Sequence, residues 1–144
     1  MYKKSLILLT LLLLTNIPSL YYSWYIEFQW FDTVQHFLGG LFVAMLLSVY
    51  LRGHFVAGEK IKNTLILVGA TIFIGVVWEF CEYIANQTLI DFVYQKFGIR
   101  AYFMGNLEDT IYDLFLDILG AISFIALHSV WGRKSHQVEG SLKN

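Results

Sequence analysis

Three aspartates at four-residue intervals are the most chemically unusual feature of this sequence. Asp109, Asp113 and Asp117 lie in the otherwise apolar stretch 105-GNLEDTIYDLFLDILGAISF-124. In an α-helix, residues four apart are offset by only about 40°, so the three carboxylates share one face over about 12 Å of rise. A carboxylate near the centre of a membrane helix costs ~3 kcal/mol. The stripe therefore predicts compensating partners inside a helix bundle.

Two other apolar segments carry ionisable residues at helical spacing. Asp32 and His36 are four residues apart, and Glu79 and Glu82 are three apart, so each pair shares a helix face. Carboxylate and imidazole groups are the donors that cation binding and acid–base chemistry require. The two segments read 32-DTVQHFLGG-40 and 75-GVVWEFCEYIAN-86.

The composition indicates which elements must position these groups. Of the 144 residues, 57% are hydrophobic and 15% are charged, against about 25% charged in soluble domains. Several apolar runs approach the ~20 residues that cross a ~30 Å hydrocarbon layer. In lipid such runs are helical, because the backbone N–H and C=O groups can form hydrogen bonds only with one another. The predicted fold class is an all-α polytopic membrane protein, a bundle of four transmembrane helices. The predicted spans are residues 5–22, 32–51, 64–86 and 109–131, with an interfacial segment over 87–108 between the third and fourth.

The two ends of the chain carry further expectations. Lys3 and Lys4 before a leucine run also describe a signal peptide, but no small-x-small cleavage site follows. We therefore predict an uncleaved helix that ends or kinks near Pro18, with cleavage as the alternative. Residues 1–132 are expected to form the transmembrane domain, and residues 133–144 a disordered cytoplasmic tail.

The basic residues predict orientation, because cytoplasmic loops carry an excess of Lys and Arg. In a four-span topology, eight of the ten basic residues fall on the side of the termini and two on the other. We therefore expect a multi-pass protein of the plasma or inner membrane with both termini in the cytoplasm. The eight are Lys3, Lys4, Arg52, Lys60, Lys62, Arg133, Lys134 and Lys143, and the two are Lys96 and Arg100.

Charge and cysteine usage exclude some classes of function. A single cysteine excludes an intramolecular disulfide framework and a cysteine-based zinc site. A net charge of −1 without a basic stripe argues against a nucleic-acid partner. The expected partner is the lipid bilayer, and the sequence leaves the oligomeric state open.

The predicted topology brings the ionisable groups together. The second and fourth spans run inward and the third runs outward, so all these groups fall in the outer half of the membrane. Clustered in low dielectric they cannot all stay charged unaided, so either several are protonated or a cation is bound. Oxygen-rich ligation favours a divalent metal such as Mg²⁺, Mn²⁺ or Ca²⁺, with Zn²⁺ a further candidate through the histidine. The candidate metal ligands are Asp32, His36, Glu79, Glu82, Asp109, Asp113 and Asp117.

Simpler interpretations stand beside this one. The cluster could be a hydrogen-bonded polar core that sets helix register. Asp32 and Asp109 lie at predicted helix starts, where aspartate is an ordinary N-cap. Lys96 and Arg100 are candidates to hold an anionic substrate headgroup, or are interfacial anchors.

The motif order resembles the VanZ-like family, which is named for teicoplanin resistance. Its members show Asp-Lys-x-x-His, then Glu-x-x-Gln, then Asp-x-x-x-Asn-x-x-Gly. The corresponding segments here begin at Asp32, Glu79 and Asp113, and 78-WEFCE-82 and 105-GNLEDTIYD-113 look closer still to the YjdF-type family of inner-membrane proteins. This sequence departs from the VanZ-like pattern by having Thr33 for lysine, Glu82 for glutamine and Asp117 for asparagine. Each departure makes the site more acidic.

The leading functional expectation is a metal-dependent hydrolase or transferase that acts on a lipid-linked phosphate or similar envelope amphiphile. Glu79 or Asp113 would serve as the catalytic base, because a metal-activated water needs a proton acceptor. One alternative is a proton- or cation-coupled transporter, since paired acids in a bundle also serve as relays. Another is a non-enzymatic factor in envelope stress or antibiotic resistance.

Overall fold

Helices are the only regular secondary structure in the part of the chain that its computed structural model describes. That part is residues 2–141, with side chains described for all of these except residues 29 and 129–141. The all-α fold class is therefore confirmed. The α-helices are α1 (Tyr2–Leu14), α2 (Asn16–Tyr21), α3 (Trp24–Glu27), α4 (Gln29–Tyr50), α5 (Lys60–Thr88), α6 (Ile90–Phe97) and α7 (Leu107–Ser141), with a 3₁₀ turn at Arg52–His54.

Four helical stretches are long and apolar enough to cross a membrane. Within residues 2–141 they are Tyr2–Tyr21, Trp30–Tyr50, Lys60–Thr88 and Leu107–His128. The prediction of four spans is confirmed, although the third span is longer at both ends than the sequence predicts. Each stretch reaches the length of about 20 residues that a ~30 Å hydrocarbon layer requires.

The first span is interrupted one turn before its proline. Pro18 has no N–H to donate to the carbonyl of Leu14, and α1 ends at that residue. The Thr15 hydroxyl donates to the Leu12 carbonyl at 2.6 Å, and the Asn16 amide donates to the Leu13 carbonyl at 3.1 Å. The predicted break is therefore present, and side-chain donors satisfy carbonyls of the last turn of α1.

A short helix and a loop occupy the predicted interfacial segment. α6 follows α5 after Leu89 and ends at Gly98, whose φ of 68° is the left-handed conformation of a glycine C-cap. Residues 99–106 are irregular and lead into α7. This segment connects the third and fourth spans at the end of the bundle that carries the acidic residues.

α4 is the central helix, because it packs against α1, α5 and α7, while α5 also packs against α7. The crossing of α4 with α7 is close because both helices place glycine there. A Cβ at Gly40 would lie 2.6 Å from the Cα of Asp117, and one at Gly120 would lie 2.7 Å from the Leu41 nitrogen. Small residues permit this backbone approach in membrane helices. The crossing holds the aspartates of α7 against the histidine of α4.

The last helix extends beyond its predicted end. α7 continues to Ser141, past Gly132 and into the segment for which the sequence predicts disorder. The residues after Gly132 include no proline, and Lys, Gln and Glu favour a helix whereas Gly140 disfavours it. The division into a transmembrane domain and a cytoplasmic tail stays a prediction. Lys143, assigned to the cytoplasmic side, lies outside the described residues.

Labelling of introduced cysteines tests the predicted orientation. In a Cys81→Ser background, Gln95→Cys on α6 is expected to react with a membrane-impermeant maleimide in intact cells. Lys60→Cys, at the opposite end of α5, is expected to react only after permeabilisation. Both native side chains are exposed, so accessibility within the protein does not limit either reaction. The reverse pattern would move the acidic cluster to the cytoplasmic side.

Candidate metal centre

His36 lies at the centre of a ring of carboxylates from three helices. Its Nε2 is 3.8 Å from Oδ1 of Asp32, 3.9 Å from Oε1 of Glu79 and 4.0 Å from Oδ2 of Asp113. Its Nδ1 is 3.8 Å from Oδ1 of Asp117. The structure thus brings residues of α4, α5 and α7 to one point, as the predicted topology requires.

The spacing of these donors suits a shared ion better than direct contact. Distances of 3.8–4.0 Å exceed the 2.7–3.2 Å of a hydrogen bond. Two oxygen donors that each lie 2.0–2.6 Å from one cation are separated by no more than ~5 Å. Two ligand sets meet this criterion, each with donor atoms within 4.8 Å of one another. They are Asp32, His36 and Asp113, and His36, Glu79 and Glu82.

Buried oxygens without hydrogen-bond partners line the same point. Glu79 and Asp117 are each 5% exposed, and among the described residues Oε1 of Glu79 and Oδ2 of Asp117 have no partner. The hydroxyl oxygen of Thr110, half-buried on α7, is unpartnered as well. An unpaired buried polar group costs ~1–3 kcal/mol, and more when it is charged. A bound cation, or protonation of several of these carboxyl groups, would compensate this cost.

Glu82 is oriented toward the cluster by a neighbouring tryptophan. The indole Nε1 of Trp78 donates to Oε1 of Glu82 at 2.7 Å, one turn away on α5. The indole occupies one lone pair of that carboxylate and holds its rotamer, as outer-shell partners of metal ligands commonly do. Glu82 remains half-buried, and it belongs to one of the two ligand sets.

Asp109 is predicted as a ligand, but the structure brings it into neither ligand set. Its Oδ2 accepts a hydrogen bond from the Gly105 backbone N–H at 3.1 Å. The N-cap of α7 is instead Asn106, whose Oδ1 accepts from the N–H groups of Glu108 (2.9 Å) and Asp109 (3.1 Å). Asp109 is therefore held by its own loop, because local backbone donors at the helix start compete for its carboxylate.

Of the remaining predicted residues, Asp32 belongs to the cluster, whereas Lys96 and Arg100 lie outside it. Asp32 is not an N-cap, because α4 begins at Gln29 and the preceding Phe28 makes no side-chain cap. It faces His36 instead. Lys96 on α6 and Arg100 in the following loop are both exposed, and within the described side chains neither forms an ion pair with the cluster.

A network of uncharged polar groups beside the site was not among the predicted residues. The Tyr25 hydroxyl donates to Oδ1 of Asn16, and Nε2 of Gln35 donates to the Thr15 hydroxyl at 3.1 Å and to the Tyr25 oxygen at 3.4 Å. Burial raises the pKa of Tyr25, and the Asp32 carboxylate raises it further, so the phenol stays protonated. A search for neutral polar side chains at span ends, in addition to ionisable ones, would have found this network.

The cluster forms one end of a largely apolar cavity of about 400 Å³. Its polar end includes Asp32, His36, Glu82 and Asp117. Its remaining lining comes mostly from aliphatic side chains of α1, α4 and α5. The arrangement offers a ligand both a charged anchor and a hydrocarbon-compatible space.

Comparison with known proteins supports the membrane assignment at the level of a family. Comparison with curated proteins and with solved structures finds no match for this chain. A family model described as "Predicted membrane protein (DUF2238)" matches residues 3–134, which include all four spans and every member of the cluster. The chain therefore belongs to this DUF2238 family of predicted membrane proteins.

Proposed function

We propose that this protein is a metal-dependent hydrolase or transferase that acts on a lipid-linked phosphate or similar amphiphile of the cell envelope. The observation that carries the proposal is the ring of four carboxylates within 4.0 Å of His36. These donors are too far apart to satisfy one another and close enough to share an ion. The apolar cavity that continues from the ring suits a substrate with a hydrocarbon part.

The residues divide into ligands and a base. A divalent ion bound here would supply Lewis acidity toward phosphate oxygens and lower the pKa of a bound water. His36, Asp32, Asp113 and Glu82 are the proposed ligands, since each belongs to one of the two sets with suitable spacing, of which Glu79 is the fifth member. Glu79 is the proposed general base, because its buried Oε1 has no hydrogen-bond partner and is free to accept a proton. Asp113 is the second candidate for that role.

The proposed hydrolysis balances with water as the only co-reactant. The water oxygen forms a bond to phosphorus while the bond from phosphorus to the ester oxygen breaks. Glu79 accepts a proton from the water, and the same proton then passes to the leaving oxygen, which becomes a lipid alcohol. In a transferase, a hydroxyl of an acceptor molecule would take the place of water.

Transport is the competing function, and the packing does not favour it. A second cavity of about 660 Å³ lies at the opposite end of the bundle, where Arg52 and His128 contribute to its lining. A buried apolar cluster with no ionisable member, composed of Ala44, Leu67, Ala121 and Phe124, borders this second cavity through Leu67 and Phe124. An ion or proton that moves on from the second cavity would meet this apolar cluster, where a charge is costly.

Phosphate release from lipid phosphates tests the proposal. Protein in nanodiscs is expected to release inorganic phosphate from phosphatidic acid or an isoprenyl phosphate with Mn²⁺ or Mg²⁺, and to stop with EDTA. Glu79→Gln is expected to lower the rate by about 10²–10⁴-fold, the usual contribution of a general base. Asp109→Asn is the matched control and should retain activity, because Asp109 contacts its own loop. Metal-independent activity, or equal loss in both variants, would contradict the assignment.

A further inference from the structure

We propose that the apolar cleft between α1 and α5 holds a single hydrocarbon chain of the substrate, which reaches the metal centre sideways from the bilayer. This inference rests on the proposed function and deepens it, because it assigns the substrate to lipid phosphates whose reacting group follows one unbranched or isoprenoid chain.

The cleft is bounded by α4 at its base and by α1 and α5 on its two sides, and it is open toward the lipid. α4 forms the floor, since it packs against both α1 and α5. In the part of the chain that the structure describes, the Cα atoms of α1 and α5 do not approach each other within 8 Å. Both helices are membrane spans, so the gap between them faces lipid and not water. A chain in the surrounding bilayer can therefore move into the cleft without crossing a polar surface.

The cleft is long enough for one extended hydrocarbon chain. On α4 its lining extends from Asp32 to Leu47, and the part beyond His36 covers eleven residues, a rise of about 16 Å. The α4 span is Trp30–Tyr50, so the lining passes the middle of this span and ends near its opposite end. A chain that starts at the metal centre would therefore have apolar side chains beside it for about 16 Å.

The lining separates a polar end from an apolar body. Beyond the metal centre, the walls and floor are formed mainly by side chains such as Leu9, Leu13, Val43, Leu46 and Ile74. The volume of about 400 Å³ is at the low end of the ~300–1,000 Å³ typical of ligand sites, which favours one chain over two.

The polar end is closed between α1 and α4. The Gln35 amide donates to the Thr15 hydroxyl at 3.1 Å and so ties α4 to the end of the first span. Tyr25 and Gln35 also line the cavity there, which places neutral polar side chains beside the carboxylates. Because the hydrogen bond from Gln35 closes the gap between α1 and α4, the open path to the metal centre is the lateral one between α1 and α5.

Photolabelling in nanodiscs tests the cleft. The probe is hexadecyl phosphate with a diazirine at mid-chain, supplied with Mn²⁺ and with excess phosphatidylcholine as the bulk lipid. Labelled peptides are expected from the facing surfaces of α1, α4 and α5. Ile74→Trp should reduce this labelling by at least about fivefold, because an indole in a fitted site excludes the chain. Phe73→Trp is the matched control, since Phe73 is exposed on the adjacent outer face and does not line the cleft.

Mn²⁺ binding to the same variants separates the two proposals. Ile74→Trp with normal Mn²⁺ binding and reduced labelling supports the cleft and shows that the variant is folded. Normal Mn²⁺ binding with labelling that is unchanged, or spread over all exposed helix faces, overturns the cleft and leaves the proposed function standing. Labelling that is sensitive to Ile74→Trp in a protein that binds no Mn²⁺ overturns the proposed function instead. If Ile74→Trp loses Mn²⁺ binding, Val43→Trp decides by the same criteria.

Discussion

Removal of divalent metal is expected to lower the melting temperature of the detergent-solubilised protein by about 5–10 °C. A cation that binds only the folded bundle adds ~2.7 kcal/mol at a hundredfold excess over its dissociation constant. For a chain of this size that free energy corresponds to the stated shift. EDTA should produce the decrease, and Mn²⁺ or Mg²⁺ should reverse it. The physical reason is that Glu79, Asp113 and Asp117 are 3–5% exposed and repel one another without a compensating charge.

Paired substitutions on α7 assign that shift to the cluster. Asp113→Asn is expected to abolish the response to EDTA, because it removes a ligand charge next to His36 while keeping the side-chain shape. Asp109→Asn makes the same chemical change one turn away and should keep the response, as should Cys81→Ser at an exposed position. Two results together would contradict the metal assignment: a wild-type melting temperature that EDTA does not change, and a higher melting temperature for Asp113→Asn at neutral pH. They would show that the acidic cluster binds no metal.

Gly40→Ala is expected to destabilise the bundle by about 3 kcal/mol and to weaken Mn²⁺ binding. The new methyl group would meet the backbone of α7, since a Cβ at Gly40 would lie 2.6 Å from Cα and 2.8 Å from the carbonyl carbon of Asp117. The backbone of α7 cannot change rotamer to relieve the contact as a side chain can. The loss in the free energy of unfolding is therefore expected at or above the upper end of the ~1–3 kcal/mol that is usual for overpacking. Separation of α4 from α7 would also move Asp117 and Asp113 away from His36. Thermal unfolding and Mn²⁺ titration measure the two effects.

Gly69→Ala on α5 is the matched control for this substitution. A Cβ at Gly69 would meet no atom within 4 Å, and alanine favours a helix over glycine by up to ~1 kcal/mol. Stability should therefore stay equal or rise slightly, with Mn²⁺ binding unchanged. Equal destabilisation by both substitutions would show that the α4–α7 crossing is not a special contact.

Much of the architecture was predictable because membrane helices obey local constraints. A run of about 20 apolar residues must form a helix in lipid, since its backbone groups can pair only with one another. Helix periodicity also determined which residues share a face, so the pairs Asp32–His36 and Glu79–Glu82 and the Asp113–Asp117 repeat were identifiable as candidates. Ionisable groups in such runs are costly, which made them conspicuous. Pro18 indicated the break in the first span for an equally local reason.

The sequence by itself thus determined four helical spans, the end of the bundle at which the ionisable groups lie, and most of the candidate ligands. Only the tertiary structure decided that His36 is the centre, that Asp109 turns back to Gly105, and that a cleft between α1 and α5 leads to the site. Periodicity defines the faces of a helix but not which faces meet. That choice depends on the close crossing at Gly40 and Gly120 and on capping by Asn106, which are contacts between specific atoms with no periodic signal.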